Sequence, residues 1–376
     1  MHKLSIFWCF DKYVVQYAEM NVFTRQLSAL LSAVSTDIAI DLGTANTLVY
    51  VKGKGIVLNE PTIVAINKKT GQLVAVGNDA KVMLGRTPAH IEVVRPLVDG
   101  VISDFEVTEE MLAYLIGKVR NETRSLIAPR VLIGVPSGIT NVEMRAAHDA
   151  AKNAGARDVF LIEEPMAAAI GAKLPVGKSV GSMIVDIGGG TTDIAIISLN
   201  GLVVSKNLRI AGDHLNAAIS SYIRDQFKVH VGEKTAEDAK IALTAISNSS
   251  NGGKDFVVRG RDVVTGLPRE VVITDTDVRD AVAGHIDTIV ENVRAALEIT
   301  PPEVMSDIMQ RGIHLSGGGA MIPGLSALLE HALQVPVIVV PDPLRAVIRG
   351  AGIVLEDLDS YNEILLDHEG SFSTQF

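Results

Sequence analysis

The chain has a single cysteine, Cys9, among its 376 residues. One cysteine excludes an internal disulfide and suits a reducing compartment such as the cytoplasm. The sequence also lacks any CxxC pair or cysteine–histidine spacing of the kind that binds zinc. No apolar run approaches the roughly 20 residues that a membrane-spanning helix requires. These absences exclude a disulfide scaffold, a cysteine zinc site and a spanning helix as the basis of the fold.

The chain also has fewer basic residues than acidic residues. The chain has 34 Lys and Arg against 44 Asp and Glu, for a net charge of −10 at pH 7. Proteins that hold a nucleic-acid backbone do so with clustered Lys and Arg. We therefore expect no nucleic-acid partner.

Two short segments of the chain are nearly alike: IDLGT at 40–44 and VDIGGGTTD at 185–193. Each places an aspartate before a glycine-containing turn between apolar, β-branched runs, which predicts a β-hairpin. The N–H dipoles of such a turn converge on an anion, and glycine permits positive φ and close approach. The first turn alone is an ordinary hairpin signal, but three consecutive glycines in the second favour a ligand. We expect two turns that grip a triphosphate from opposite sides.

Strand and helix signals alternate after the first hairpin. Segment 131–136 predicts a buried strand, 141–154 a helix, and 159–162 the next strand. Glu163, Glu164 and Pro165 then open a helix of small residues, with the proline in the first turn, where it is tolerated. This alternation of strands and helices along the chain is typical of an α/β fold.

The same order returns after the second hairpin, with a helix at 213–227 and a strand at 312–315 that ends in SGGGA. The chain is thus predicted to contain two similar halves, an arrangement that usually places a ligand in the cleft between them. Segments 53–96 and 232–269 interrupt this order. We expect each of them to form a small subdomain that caps one lobe.

The two hairpin aspartates, Asp41 and Asp186, follow buried strands. An unpaired carboxylate is costly in such a place, so a cation between them is the natural compensation. Mg²⁺ fits best, because it keeps several waters and binds phosphate oxygens. The alternative is a pair of hairpin-capping aspartates without a metal.

Glu163 and Glu164 lie where a strand meets a helix. Either could orient or deprotonate an attacking water. The alternative for each is a helix N-terminal carboxylate that the helix dipole favours. Spacing alone does not choose between the two.

Taken together, these motifs resemble the signature of the actin, sugar-kinase and heat-shock-chaperone ATPase superfamily. Within it, the chain is similar to the MreB family of bacterial actins from about residue 36 to 355. The matching runs are DLGTANT at 41–47, LGRTP at 84–88, DGVI at 99–102, EPMAAAIG at 164–171, DIGGGTT at 186–192 and LSGGGA at 315–320.

The resemblance implies an actin-like duplicated ribonuclease-H-type α/β fold, with two lobes of two subdomains each around a central nucleotide cleft. Residues 1–35 would form an N-terminal extension and amphipathic helix. The implied subdomains are IA (36–57, 97–172 and 346–376), IB (58–96), IIA (173–211 and 271–345) and IIB (212–270).

The resemblance also implies ATP and Mg²⁺ as cofactors and a role for each site residue. Asp41 and Asp186 would hold Mg²⁺ through water, and Glu164 rather than Glu163 would position the water opposite Thr191. The first phosphate loop would comprise Gly43, Thr44, Ala45 and Asn46, and the second Gly188, Gly189, Gly190, Thr191 and Thr192. The nucleoside would contact Glu237 and Lys240 and, on its adenine side, Gly317, Gly318, Gly319 and Ala320. Without the resemblance, Glu237 and Lys240 read as a solvated helix pair.

A membrane contact is suggested near the N-terminus, where four apolar residues recur at helical spacing: Phe23, Leu27, Leu30 and Leu31. This is the pattern of a helix that lies in a membrane interface, the alternative being a helix packed on its own lobe. Leu126 and Ile127 match an exposed apolar loop of the MreB family. They could equally be ordinary turn residues.

The resemblance implies a weak ATPase that forms cytoplasmic filaments on the inner face of the cell membrane and organises cell-wall elongation to maintain rod shape. Its implied partners are further copies of itself in double filaments, the inner membrane surface, and the elongation proteins MreC, MreD and RodZ. A small-molecule kinase is one alternative, but it would need an acceptor carboxylate besides Glu164, for which the sequence offers no candidate. A chaperone-type ATPase is another, and would need a peptide-binding domain after Leu355, where a short acidic tail follows.

Overall fold

The computed structural model describes residues 36–123, 125, 127–243 and 255–366. Its strands are β1 (Ile38–Leu42), β2 (Asn46–Val51), β3 (Gly55–Pro61), β4 (Val64–Asn67), β5 (Leu73–Val76), β6 (Ile91–Val94), β7 (Leu97–Val98), β8 (Val101–Ile102), β9 (Arg130–Val135), β10 (Asp158–Glu163), β11 (Ser182–Ile187), β12 (Thr192–Ser198), β13 (Gly201–Leu208), β14 (Val229–His230), β15 (Asp255–Asp262), β16 (Pro268–Thr274), β17 (Ile313–Ser316), β18 (Val337–Val339) and β19 (Leu365–Leu366). Its helices are α1 (Asn78–Lys81), α2 (Phe105–Thr123), α3 (Asn141–Asn153), α4 (Glu164–Gly171), α5 (Gly212–Phe227), α6 (Glu233–Leu243), α7 (Asp275–Glu298), α8 (Pro302–Arg311), α9 (Leu325–Leu333) and α10 (Ala346–Glu356).

The first half of the chain forms a six-stranded sheet in the order β19-β10-β9-β1-β2-β3. Its centre, β1, pairs antiparallel with β2, where Asp41 lies opposite Leu48, and parallel with β9, where Ile40 lies opposite Ile133. Ile40 and Ile133 are fully buried. Strand β1 therefore reads as an unbroken apolar run up to the aspartate at its end, and the predicted hairpin is confirmed.

The second half forms a five-stranded sheet in the order β13-β12-β11-β17-β18. Strand β11 pairs antiparallel with β12, where Asp186 lies opposite Asp193, and parallel with β17. Apart from β19, this is the order of the first sheet, with β11 in the place of β1 and β17 in the place of β9. The predicted duplication is confirmed.

Helices α4 and α10 join the two halves through one apolar core. The core contains Leu132 of the first sheet and Ile184 of the second, together with small residues of both helices. The helices touch so closely that a Cβ added at Gly171 would lie 2.0 Å from the Ala346 carbonyl oxygen. Small residues are therefore required where these helices cross.

One small antiparallel sheet, β5-β4-β6, lies within segment 53–96. A second, β14-β15-β16, overlaps segment 232–269 but begins before it, at Val229, and ends after it, at Thr274. The capping subdomains and their boundaries stay a prediction. Among the described residues, no helix is both long and apolar enough to cross a bilayer.

Candidate functional site

The two hairpin turns lie against each other where the halves meet. A Cβ added at Gly189 would lie 2.6 Å from the Ala45 Cβ, and one added at Gly190 would lie 2.5 Å from the Thr44 Oγ1. The hydroxyl of Thr44 in turn accepts a hydrogen bond from the Gly100 N–H at 2.9 Å. The structure thus brings the two predicted turns face to face.

The glycines of these turns serve close approach rather than unusual backbone angles. None of Gly43, Gly188, Gly189 and Gly190 has a positive φ, so of the two freedoms that glycine permits, positive φ and close approach, these turns use only close approach. A side chain at Gly189 or Gly190 would instead collide with the opposite turn. Space between the halves therefore requires glycine at positions 189 and 190, whereas a Cβ at Gly188 would lie 3.2 Å from the Thr191 carbonyl oxygen of its own turn.

The two predicted metal-site aspartates lie at the ends of equivalent strands, and the charge of Asp186 affects the titration of Asp41. Burial and the nearby charge of Asp186 raise the pKa of Asp41 to about 7. Burial, with a smaller contribution from Asp193, raises the pKa of Asp186 to about 6. Two acids with such pKa values form a site that favours added positive charge.

These acids fit a magnesium ion held through water. The Asp186 Oδ1 atom is buried and has no hydrogen-bond partner among the described residues. Within the same residues, no cluster of three or more His, Cys, Asp or Glu side chains is arranged to enclose a metal. Two carboxylates that leave the other coordination positions to water and phosphate oxygens match the way Mg²⁺ binds beside nucleotides.

Glu164 is the first residue of α4, and it lies with the aspartates. Its side chain is buried, and a Cβ added at Gly134 would lie 3.5 Å from its Cγ. Burial raises its pKa well above the ordinary value, and the charges of Asp193, Asp41 and Asp186 raise it further.

The neighbouring Glu163 has different surroundings. Burial raises its pKa, and the backbone N–H of Gly138 offsets part of that rise. Asp193 also raises it, but Asp41 and Asp186 are not among the causes. Of the two adjacent glutamates, Glu164 is the one that shares the aspartate site.

The sequence reasoning missed Asp193, which ties the two halves together beneath the turns. Its Oδ1 accepts hydrogen bonds from the Ser137 N–H at 3.0 Å, the Ser137 hydroxyl at 2.8 Å and the Asn207 side chain at 3.0 Å. Its Oδ2 is buried without a partner among the described residues. The available signal was a carboxylate at the start of the otherwise apolar strand β12.

Thr191 and Thr192, the two threonines of the second turn, are both buried. The Thr191 carbonyl accepts the Gly188 N–H at 2.9 Å, which closes the turn. Its side chain faces the first half, because a Cβ added at Gly100 would lie 2.7 Å from the Thr191 Cγ2. The Thr192 hydroxyl donates to the Ile210 carbonyl at 2.7 Å.

The predicted nucleoside contacts lie beside the second turn. Lys240 Nζ donates to the Gly212 carbonyl at 2.9 Å, and the Gly212 N–H donates to the Gly188 carbonyl at 3.2 Å. Glu237 forms an ion pair with Lys81 of the first half at 3.3 Å. Their interpretation as an isolated, solvated helix pair is therefore wrong.

The glycines of the SGGGA segment that follows β17 pack against the second hairpin. Gly317 has a φ of 78°, and a Cβ there would lie 2.3 Å from the Ile187 carbonyl oxygen. A Cβ at Gly319 would lie 2.2 Å from the Ile187 Cγ2. Gly318 begins a 3₁₀ turn in which Ala320 is buried. The cluster thus lies against the end of β11, next to Asp186.

Most of the predicted membrane contacts lie outside the described residues: Phe23, Leu27, Leu30, Leu31 and Leu126. Ile127 is half-buried, and its carbonyl accepts a hydrogen bond from the Ser125 hydroxyl at 3.0 Å. The membrane assignment stays a prediction.

Comparison with known proteins identifies the family. The family model for the MreB/Mbl protein matches residues 35–363. The chain belongs to the MreB/Mbl family. This MreB/Mbl chain is 50% identical over 332 residues to the cell shape-determining protein MreB of Pasteurella multocida, covering 87% of this chain and 95% of the relative. It is 46% identical over 323 residues to the cell shape-determining protein Mbl of Bacillus subtilis, covering 86% and 96%.

Solved structures agree with the actin-like fold expected for an MreB/Mbl chain. MreB5 of Spiroplasma citri bound to ADP has a TM-score of 0.82 and 38% identity, covering 88% of this chain and 98% of that one. The same protein bound to AMPPNP has a TM-score of 0.81. A MamK double helical filament, 24% identical with a TM-score of 0.73, supports the fold alone.

Proposed function

We propose that this chain binds ATP with Mg²⁺ between the two facing turns and hydrolyses it as part of a bacterial actin-like cytoskeleton. The observation that carries the proposal is the contact of Gly189 and Gly190 with Ala45 and Thr44, with acidic side chains at the base of both turns. The nucleotide-bound structures of the Spiroplasma citri relative support the same assignment.

In this proposal, the backbone N–H groups of both turns bind the phosphates, and Asp41 and Asp186 hold Mg²⁺ through water. When bound, the ion neutralises charge on the phosphate oxygens. Glu164 orients the attacking water opposite Thr191. Burial and the neighbouring carboxylates raise its pKa well above the ordinary value, which makes its carboxylate a stronger proton acceptor than an exposed glutamate. Lys240 and Glu237 face the nucleoside, with residues 317–320 on its adenine side.

The proposed cellular role is filament formation at the membrane. Curated relatives in several bacteria are named cell shape-determining proteins. Copies of an actin-like chain join head to tail in an open polymer, because a heterologous contact that does not close propagates. We assign membrane contact to Phe23, Leu27, Leu30, Leu31, Leu126 and Ile127, and propose double filaments that guide MreC, MreD and RodZ in cell-wall elongation.

Replacing Glu164 tests the chemical assignment. Glu164→Gln keeps the size of the side chain but removes its ability to accept a proton. We expect phosphate release to fall about 100-fold, while the affinity for a fluorescent ATP analogue changes less than about threefold. Glu163→Gln is the matched control, and its effect should be small. Undiminished hydrolysis by Glu164→Gln would remove Glu164 from the mechanism.

Sedimentation with liposomes tests the membrane assignment. The intact chain with ATP should pellet with vesicles of anionic lipid, and a chain beginning at Ser35 should do so less. Both should pellet alike as filaments without lipid, because the removed residues precede β1. Equal lipid recruitment of the two chains would contradict an N-terminal anchor.

A further inference from the structure

Two ion pairs join the halves across the cleft, one of them the Glu237–Lys81 pair described above. Glu233 and Glu237 lie four residues apart on α6, so their side chains emerge on one face of that helix. Lys81, at the end of α1, lies 3.3 Å from Glu237. Arg95, just after β6, pairs with Glu233. Both cations belong to the first half and both acids to the second.

These four residues, which we call the clasp, connect inward to the second turn. Burial raises the pKa of the Asp213 carboxyl, and the nearby charges of Arg95 and then Lys240 lower it in part. Lys240 also donates to the Gly212 carbonyl. The network therefore links the cations Lys81, Arg95 and Lys240 to the anions Asp213, Glu233 and Glu237. Two further cations, Arg86 and Lys234, line the same cavity as the two ion pairs.

The clasp is a contact that can open. A cavity of about 80 Å³ lies among its side chains, lined in part by Ile63, Val82 and Leu84. The clasp side chains are also one-quarter to less than one-half exposed, from 28% for Arg95 to 43% for Glu233. Charges rather than a packed apolar interface thus hold the two segments together here. Partly exposed ion pairs are individually weak and are screened by salt.

We propose that Lys81 and Arg95 are positioning residues of the nucleotide site, an inference that rests on the proposed ATP binding. They act through Glu237 and Glu233 to hold α6 against the opposite half, and so slow the escape of bound nucleotide. Neither cation contacts the turns or Glu164, so the rate of the chemical step is left unchanged. Each pair is expected to change the dissociation rate by about twofold to fivefold.

A charge swap tests the clasp without altering Glu237. The dissociation of fluorescent ADP from the intact chain with Mg²⁺ is followed after addition of excess ADP, for Arg95→Glu, Glu233→Arg and the two combined. Each single variant places like charges together and should speed dissociation about fivefold. The combined variant restores an opposite pair and should return to within about twofold of the unaltered chain. The rate of phosphate release in a single turnover, which reports the chemical step, should not change in any of them.

Lys68→Glu is the matched control. Lys68 pairs with Glu92 at 3.4 Å, and both lie in the same segment of the first half. This variant should not change the dissociation rate. Unchanged dissociation in Arg95→Glu, or no restoration in the combined variant, would overturn the clasp while leaving ATP binding intact. Failure of the unaltered chain to bind nucleotide would overturn both proposals.

Discussion

The two hairpin turns occupy equivalent places in the duplicated fold, yet they are built differently. The first presents the side chains of Thr44 and Ala45, whereas the second presents Gly189 and Gly190 at the positions that face them. A side chain on both sides would not fit. The difference shows that the two turns are complementary in shape. The side chains of the first turn occupy the space that the glycines of the second turn leave free.

Each turn is also fixed by its own half. The Thr62 hydroxyl donates to the Gly43 carbonyl at 2.6 Å in the first half. In the second, the Thr192 hydroxyl donates to the Ile210 carbonyl at 2.7 Å. Because each turn is fixed by a hydrogen bond within its own half, neither turn can move away easily when a larger side chain is placed between them.

The largest expected effect follows from crowding that contact. The new Cβ of Gly190→Ala would lie 2.5 Å from the Thr44 Oγ1 and 2.9 Å from the Asp99 Cα. We expect a loss of about 2 kcal/mol in the free energy of unfolding, and at least roughly tenfold weaker binding of Mg-ATP because the turns are forced apart. Thermal unfolding and titration with fluorescent ATP measure the two effects.

Gly284→Ala is the control for this change. Gly284 lies in α7 with no atom within 4 Å of an added Cβ, so alanine should be neutral or stabilising there. Normal Mg-ATP binding by Gly190→Ala would contradict the idea that the glycines exist for the facing turn.

The next effect concerns the pH dependence of stability that Asp41 and Asp186 cause. Their raised pKa values mean that the folded chain binds more protons than the unfolded chain between about pH 4 and 7. The free energy of unfolding should therefore fall as pH rises through this range, when nucleotide and Mg²⁺ are absent. Asp41→Asn should stabilise the chain at pH 8 on the order of 2 kcal/mol.

Asp186→Asn should have the same sign and a smaller size, since the pKa of Asp186 is raised only to about 6 and that of Asp41 to about 7. Denaturant unfolding in EDTA at pH 5 and pH 8 measures both. If neither variant flattens the pH dependence, burial does not raise the pKa values of these two carboxyls as described.

The smallest expected effect concerns the support of the first turn. Thr44→Val removes the acceptor of the Gly100 N–H and should cost about 1 kcal/mol of unfolding free energy. Thr44→Ser keeps the hydroxyl and should recover most of that loss. Equal stability of the valine and serine variants in denaturant unfolding would show that this hydrogen bond contributes nothing.

Local features of the fold were predictable from the sequence. Hairpins at Asp41 and Asp186 follow from apolar runs that end in turn residues, and α4 follows from Pro165 and the small residues after it. The facing of the turns was expected from the duplication. That glycine is needed there for space, not for backbone angle, could not be read from the sequence because it depends on the opposite half.

The contacts that cross the cleft were not predictable. Lys81 and Glu237 are 156 positions apart, Arg95 and Glu233 138, and Ser137 and Asp193 56. Local periodicity carries no information about such pairs. A lysine near the end of a four-residue helix looks like any solvated surface charge until the fold brings α6 opposite it.

A crystal structure of the full chain with Mg²⁺ and AMPPNP would show whether both turns bind the same nucleotide. We expect phosphate oxygens that accept hydrogen bonds from backbone N–H groups of both turns, at 43–46 and at 188–191, with the ion between Asp41 and Asp186. A nucleotide held by only one turn, or bound outside the cleft, would contradict this expectation.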